Sequence, residues 1–382
     1  MRAPPRRTGR PCSRRRALTR RNSIRCRQWL PPFAFDRRAS WSGQTPERRD
    51  VTLRVEAASY RGRPVWFGVF GPWSRPSRQG GSPVTPSERA GAIVLASIFL
   101  LLLAACVTLA RRNLRLGRGD RQGAWRLAMY VFALGLLSWV LGGAHVPTLY
   151  ELYLFCSAAG GSLFLAAFVG AAYLALEPIV RRRWPHVIIG WSRVLSGKIS
   201  DALVGRDLLI GVAAGLIIQT CGGFMLLSHS NPARLILVLD GLTGLRQAMS
   251  ALSVTLGTTI FLCLGICLLY AASYIGLRRH WLAGGVVVGL LTVPDLLGSG
   301  LAPDSVASTL NTIVSIVVLT RFGLLALMAS VYVSGLLDFF PVTTDLTQWY
   351  ASTDLIGVVA ILALAVWAFR TSLGGQLVFK DA

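Results

Sequence analysis

A series of apolar runs, each about as long as a bilayer is thick, constrains this chain more than any other feature. They recur from Ala90 onward. In hydrocarbon only a helix satisfies its own backbone hydrogen bonds over such a length within one segment. We place eight spans: Ala90–Ala110, Leu127–Val146, Leu152–Leu176, Leu208–Ser228, Leu252–Leu277, Trp281–Leu297, Asn311–Leu337 and Leu355–Phe369, with seven as the alternative count. The expected fold is an all-α, polytopic transmembrane helix bundle, and a composition that is 53% hydrophobic agrees. The bilayer is its first expected partner.

Charge then orients the bundle. The net +23 resembles a nucleic-acid signature until it is mapped along the chain. Residues 1–50 hold 15 Arg against three acids and residues 51–90 six against two, so most of the excess precedes the first span. Lys198 and Lys380 are the only lysines, a bias we read as a GC-rich genome, and no nucleic-acid partner is expected. Later arginines cluster in short loops, where they set topology. The loop 111–126 carries six Arg and one acid, and the loop 177–207 opens with Arg181, Arg182 and Arg183. Both are expected on the cytoplasmic side of a bacterial inner membrane, which puts residues 41–89 outside. At the C-terminal end the rule and the count disagree. Eight spans leave the tail outside, yet Arg370 and Lys380 make it basic while Asp338, Asp345 and Asp354 precede the last span.

Three regions follow from these shifts in texture. Residues 1–40 are Arg, Pro and Ser without hydrophobic period, a disordered basic leader or a mis-called start. Residues 41–89 hold a β-hairpin, with VTLRVEAASY and VWFGVF about the turn RGRP, and then a Pro/Gly/Ser linker. Residues 90–382 are the helical domain, with a cytoplasmic amphipathic segment at 185–206. In that segment Ile188, Trp191, Leu195, Ile199 and Ala202 or Leu203 share one face of a helix expected over Ile188–Val204, and Arg193, Ser196, Ser200 and Asp201 the other. The chain before it is expected to leave its helix at Glu177-Pro178. With Arg181, Arg182, Arg183, Trp184, Trp191, Arg193 and Lys198, this is the candidate contact surface. A short helix capped by Thr344 or Asp345 is expected to bring Trp349 and Tyr350 to the membrane interface.

Two features inside the spans bear on function. Gly211 and Gly215, and again Gly285 and Gly289, present small faces for close helix contact. Arg321 falls about ten residues into the seventh span, a costly position, and Asp295 in the sixth is its expected ion-pair partner. Known catalytic and metal patterns are missing. Four histidines, His145, His186, His229 and His280, are scattered over separate loops, and there is no H-E-x-x-H, G-x-S-x-G or G-x-x-x-x-G-K-[ST]. Cys263 and Cys267 share a helical face with no His or acid nearby and are expected as packed thiols. No cofactor, metal or catalytic residue is expected.

The wording of several stretches carries more. ARRNLRLGRGDRQGAWRLA at 110–128, YLALEPIVRRRWPHVIIGWSRVLSGKISDALVGRDLLIG at 173–211, TTDLTQWYAST at 343–353 and FRTSLGGQLVF at 369–379 resemble the C-terminal membrane region of a group of bacterial serine/threonine protein kinases. The resemblance covers about residues 35–382. It implies that a cytoplasmic kinase domain, a first anchor and an extracytoplasmic segment precede such a helical region, and that VEAASYRGRPVWFGVFGPWSRP ends the extracytoplasmic part. The kinase Gly-rich loop, strand lysine, H-R-D and D-F-G are absent, and Asp338-Phe339-Phe340 merely ends a span. The expectation is a non-catalytic membrane anchor or sensor, a truncated relative or gene fragment, with a cytoplasmic kinase or signalling protein as its partner. The alternative is a permease-like protein.

Overall fold

The computed structural model describes residues 35–45, 48–71, 86–143, 145–227, 244–299, 303–340 and 351–374. The leader as far as residue 34, most of the linker and the expected interfacial helix at 343–350 lie outside them. Two compact units divide the chain near Val84, one β and one helical.

The first unit is a three-stranded antiparallel sheet in the order β1 (Arg37–Thr45), β2 (Arg48–Tyr60), β3 (Arg63–Phe70). The expected hairpin is β2–β3. Arg61 and Gly62, at φ 52° and 78°, form its two-residue turn, the doubly left-handed kind whose twist suits paired strands. Asp36 Oδ2 accepts from Arg61 N at 2.6 Å and holds that turn. Strand β1 begins inside the stretch expected as leader. It adds Arg38 to the face on which Glu56 lies fully buried, and Arg38 and Arg54 each approach the carboxylate at 2.6 Å. Period-two alternation puts Arg54 and Glu56 on one face.

The second unit contains α1 (Pro86–Arg115), α2 (Arg121–Gly142), α3 (Leu149–Arg183), α4 (Pro185–Leu195), α5 (Ala202–Leu227), α6 (Leu245–Leu277), α7 (His280–Ser299), α8 (Pro303–Arg321), α9 (Leu324–Phe339) and α10 (Ala351–Ser372). Helices α1, α2, α3, α5, α6 and α10 are long and apolar enough to cross a membrane, and α7, α8 and α9 are shorter apolar helices. The chain is a multi-pass membrane protein built as the expected helical bundle.

One expected span proves to be two helices. Asn311–Leu337 turns back on itself at Phe322-Gly323, between α8 and α9. Ser308 of α8 donates to Asp295 late in α7, and Ile316 lies against Gly284 early in α7, so α8 runs antiparallel to α7. Helix α9 then runs parallel to α5. Gly211 faces Ala326 and Ala329, Gly215 faces Ser330 and Val333, and Gln219 donates to Asp338 at 2.9 Å. The small face at Gly211 and Gly215 therefore does bring two helices together, whereas Gly285 and Gly289 have open space where a Cβ would stand. Helix α9, 16 residues and about 24 Å long, is buried on every side over Leu324–Ser330, so its neighbours cover it where lipid would cover a longer span.

Among the described residues nine helices thus alternate in direction, α4 standing aside. One end of the bundle gathers the α1–α2 loop, α4, the α6–α7 turn, the α8–α9 turn and the end of α10, where Ala368 and Ser372 meet Gly205 near the start of α5. The Arg-rich loops and Arg370 thereby share an end, which removes the disagreement between charge and count.

Helix α3 also exceeds its expected limit. It continues through Glu177 and Pro178 to Arg183. Proline has no N–H, so the Leu174 carbonyl one turn earlier loses its helical donor. The side chain of Asn113, reaching across from α1, replaces it: Nδ2 donates to Leu174 O at 2.8 Å. Asn113→Ala should therefore cost about 1–3 kcal/mol, the usual penalty for a buried unpaired carbonyl. The loss should shrink in a Pro178→Ala background, where a restored N–H reaches the same oxygen. Unfolding of the four proteins in mixed detergent micelles measures the cycle; equal losses in both backgrounds would refute the compensation.

Candidate functional site at the arginine-rich end

Trp184, at φ −142° and ψ 66°, breaks α3, and Pro185 starts α4 at the first helical position, where a missing N–H is harmless. Helix α4 is strongly amphipathic, as expected. Its apolar face enters the bundle instead of resting on lipid: Val187, Ile188, Gly190 and Trp191 are buried against α3, α5 and α9. It is also shorter than expected. Lys198 N donates to Arg193 O at 2.9 Å and Gly197 N to Val194 O at 3.0 Å, with Gly197 at φ 82°. This double closure around a left-handed glycine ends a helix. Ile199, expected on the apolar face, is consequently 48% exposed, and Leu203 belongs to α5. Asp201 opens α5 by accepting from Leu203 N at 2.9 Å and pairs with Arg193, so one carboxylate ties the two helices together. The backbone N–H of Leu203, and next the Arg193 guanidinium, hold this carboxyl below its ordinary range.

Two of the grooves that adjoin α4 lie along its stretch 188–195. The polar one, about 570 Å³, is lined by Asp120, Arg126, Tyr173, Arg181, Ser192, Arg193, Lys198 and Asp201 among others. The apolar one, about 550 Å³, lies among Leu127, Tyr130, Trp191, Val194, Leu256, Met328 and Tyr332. Arg126 and Leu195 line both. Several anions are already spoken for. Asp120 caps α2 by accepting from Gly123 N at 2.8 Å, Glu177 is buried and paired with Arg181 at 2.8 Å, and buried Asp207 pairs with Arg206 at 2.9 Å.

Of the residues proposed from sequence, Arg181, Arg193 and Lys198 line the polar groove and Trp191 the apolar one. Arg182 and Arg183 are exposed. Trp184 is buried in an aromatic group with Tyr270, Tyr274 and His280, at centroid distances of 5.8, 4.5 and 5.9 Å. Tyr270 and His280 are bonded there at 2.9 Å.

The Arg321–Asp295 pair does not form. Arg321 is the last residue of α8 and exposed beside the α6–α7 turn, while Asp295 is bonded to Ser308, 13 residues and about 20 Å back along α8. An arginine at the tip of a helical hairpin needs no intramembrane counter-ion. Asp120, Arg126, Tyr130 and Tyr332 were not anticipated, since they reach the grooves from α2 and α9. Only Asp120 left a local sign, as an acid just before a helical run.

Among the described residues no group of three or more His, Cys, Asp or Glu is placed to hold a metal, and Cys263 and Cys267 are free thiols in the core. What the two grooves present is fixed cations, two carboxylates held in structural bonds and an apolar recess. No family model, curated protein or solved structure matches the chain.

Proposed function

We propose that the chain is the non-catalytic membrane module, anchor or sensor, of a serine/threonine kinase-type signalling protein in a bacterial inner membrane. Its Arg-rich end, around α4, faces the cytoplasm. The supporting observation is where polarity lies in the helical unit. Among the described residues its buried acids and amide, Glu177, Asp207 and Asn113, all lie at the Arg-rich end, and the other buried polar side chains are Ser and Thr. A conduit needs charged or polar groups converging at mid-depth. Arg321, the one charge expected deep in a span, lies at a helix end instead. A module that presents one charged end to a soluble partner needs only what this bundle has. The resemblance of several stretches to kinase-associated membrane regions points the same way.

The test is phosphoryl transfer in native membranes. Membranes with and without the chain, supplied with labelled ATP, should differ in Ser/Thr phosphorylation. Arg182→Gln with Arg183→Gln, two exposed side chains outside both grooves, should diminish the difference. Identical phosphorylation with and without the chain would refute the signalling role, as would chain-dependent solute flux into proteoliposomes.

A further inference from the structure

We propose that the paired grooves at α4 form a binding site for one phospholipid with an anionic headgroup, its phosphate on Arg126 and Lys198 and an acyl chain against Trp191. The site stands on the helical unit alone and does not depend on the signalling role.

The charge distribution comes first. Of the four cations in the polar groove, Arg181 is engaged by Glu177 and Arg193 by Asp201. Arg126 and Lys198 make no ion pair among the described residues. Two uncommitted cations facing one cavity favour an anion, and an arginine fork suits phosphate oxygens. Asp120 and Asp201 also line the groove, but each carboxylate is occupied by a helix-start N–H.

The second observation is independent of charge. Trp191 is 6% exposed and lines the apolar groove, and its indole N–H meets no acceptor among the described residues. A buried donor without an acceptor costs about 1–3 kcal/mol. A glycerol ester carbonyl supplies an acceptor at the boundary between headgroup and chain.

Third, the two cavities adjoin, with Arg126 and Leu195 in both linings, and are opposite in character. A free phosphate would leave the apolar recess empty, forfeiting the dispersion contacts of its walls. A hydrocarbon would leave the cations unmatched. An amphiphile with an anionic head satisfies both, and α2, α3, α5, α6 and α10, which line the grooves together with α4 and α9, are long and apolar enough to cross a membrane.

Native mass spectrometry and thermal unfolding of the full chain in detergent test this with four probes. These are phosphatidylglycerol, phosphatidylcholine with the same acyl chains, sn-glycerol 3-phosphate and inorganic phosphate. Phosphatidylglycerol should remain bound at one equivalent and raise Tm. The double variant Arg126→Gln, Lys198→Gln should weaken its binding at least tenfold, with Tm in the absence of lipid unchanged. Trp191→Phe keeps a six-membered aromatic ring, removes the N–H and should weaken binding several-fold. Equal binding of phosphatidylcholine would overturn the proposal, as would undiminished binding to the double variant. A Tm rise from inorganic phosphate matching that from the lipid would instead make this a free-anion site. Should the double variant fail to fold, a phosphatidylglycerol with a photoreactive acyl chain decides the matter on the unmodified chain. Crosslinks at Tyr130, Met328 or Tyr332 support the site, and crosslinks confined to other surfaces overturn it.

Discussion

Cysteines introduced by Arg111→Cys, Arg321→Cys and Arg370→Cys, each in a background without the native thiols, are expected to react with an impermeant maleimide from one side of the membrane. Tyr150→Cys and Asp338→Cys are expected to react from the other. The five positions lie at exposed helix ends, and the alternation of the nine helices among the described residues puts the first three together. The effect is all-or-none. A single span over 311–337 would bury Arg321 in hydrocarbon beyond reach of the reagent and move Arg370 opposite Arg111. Labelling of intact cells against inverted vesicles reads the difference directly, and a silent Arg321→Cys with Arg370→Cys on the Tyr150 side would restore the single span. The energetic reason for the hairpin is plain: an arginine in mid-bilayer costs about 3 kcal/mol on insertion scales, and a turn next to it removes that cost.

Replacing Gly323 by alanine is expected to destabilise the helical unit by about 3 kcal/mol. Gly323 sits at φ 102° and ψ −178°, a conformation open in practice only to glycine and costing other residues about 1–3 kcal/mol. An added Cβ would also stand 2.8 Å from Val187 O and 3.3 Å from His186 O, both in the first turn of α4. Those are backbone atoms of a packed helix. They cannot swing aside, so an overpacking cost of about 1–3 kcal/mol applies as well. The same turn is braced by His186 Nε2 at 3.2 Å from Thr320 O. Gly285→Ala is the control: its Cβ meets nothing within 4 Å, and helix propensity alone should stabilise it by about 0.5–1 kcal/mol. Unfolding in mixed micelles that ranks Gly323→Ala level with Gly285→Ala would show that the turn is not constrained in this way.

How far each element could be read depended on whether its limits were local. The β2–β3 turn was legible because Arg-Gly between two β-rich runs carries its own conformation. The seventh span was not, because Val318 to Leu325 holds only Arg321 and Gly323 as interruptions, and both occur inside ordinary spans. What makes them a turn is α4, whose backbone accepts the close approach of Gly323. At α3 the error ran the other way. Glu177-Pro178 looked like a terminus, yet Asn113, over 60 residues earlier in sequence, supplies the donor that lets the helix continue. The amphipathic segment was right in its face at Ile188 and Trp191 and wrong in its length, since Gly197 closes the helix before Ile199. The grooves were legible only in part. Arg193 and Lys198 lie in the segment already singled out, but Arg126, Tyr130 and Tyr332 join them through folding alone.

The sequence by itself determined that the chain is helical, that it crosses a membrane repeatedly and that arginine gathers in particular loops. Each of these is a property of a window of about 20 residues, because a backbone in hydrocarbon must be satisfied within its own segment. The tertiary structure decided where helices stop, which of them run together and what their ends enclose. Those outcomes rest on single partners distant in sequence: a carbonyl taken by Asn113, a turn pressed on α4 at Gly323, an arginine from α2 set beside a lysine after α4. A hydrophobic run states that a helix must exist; only the atoms packed against its ends state its length.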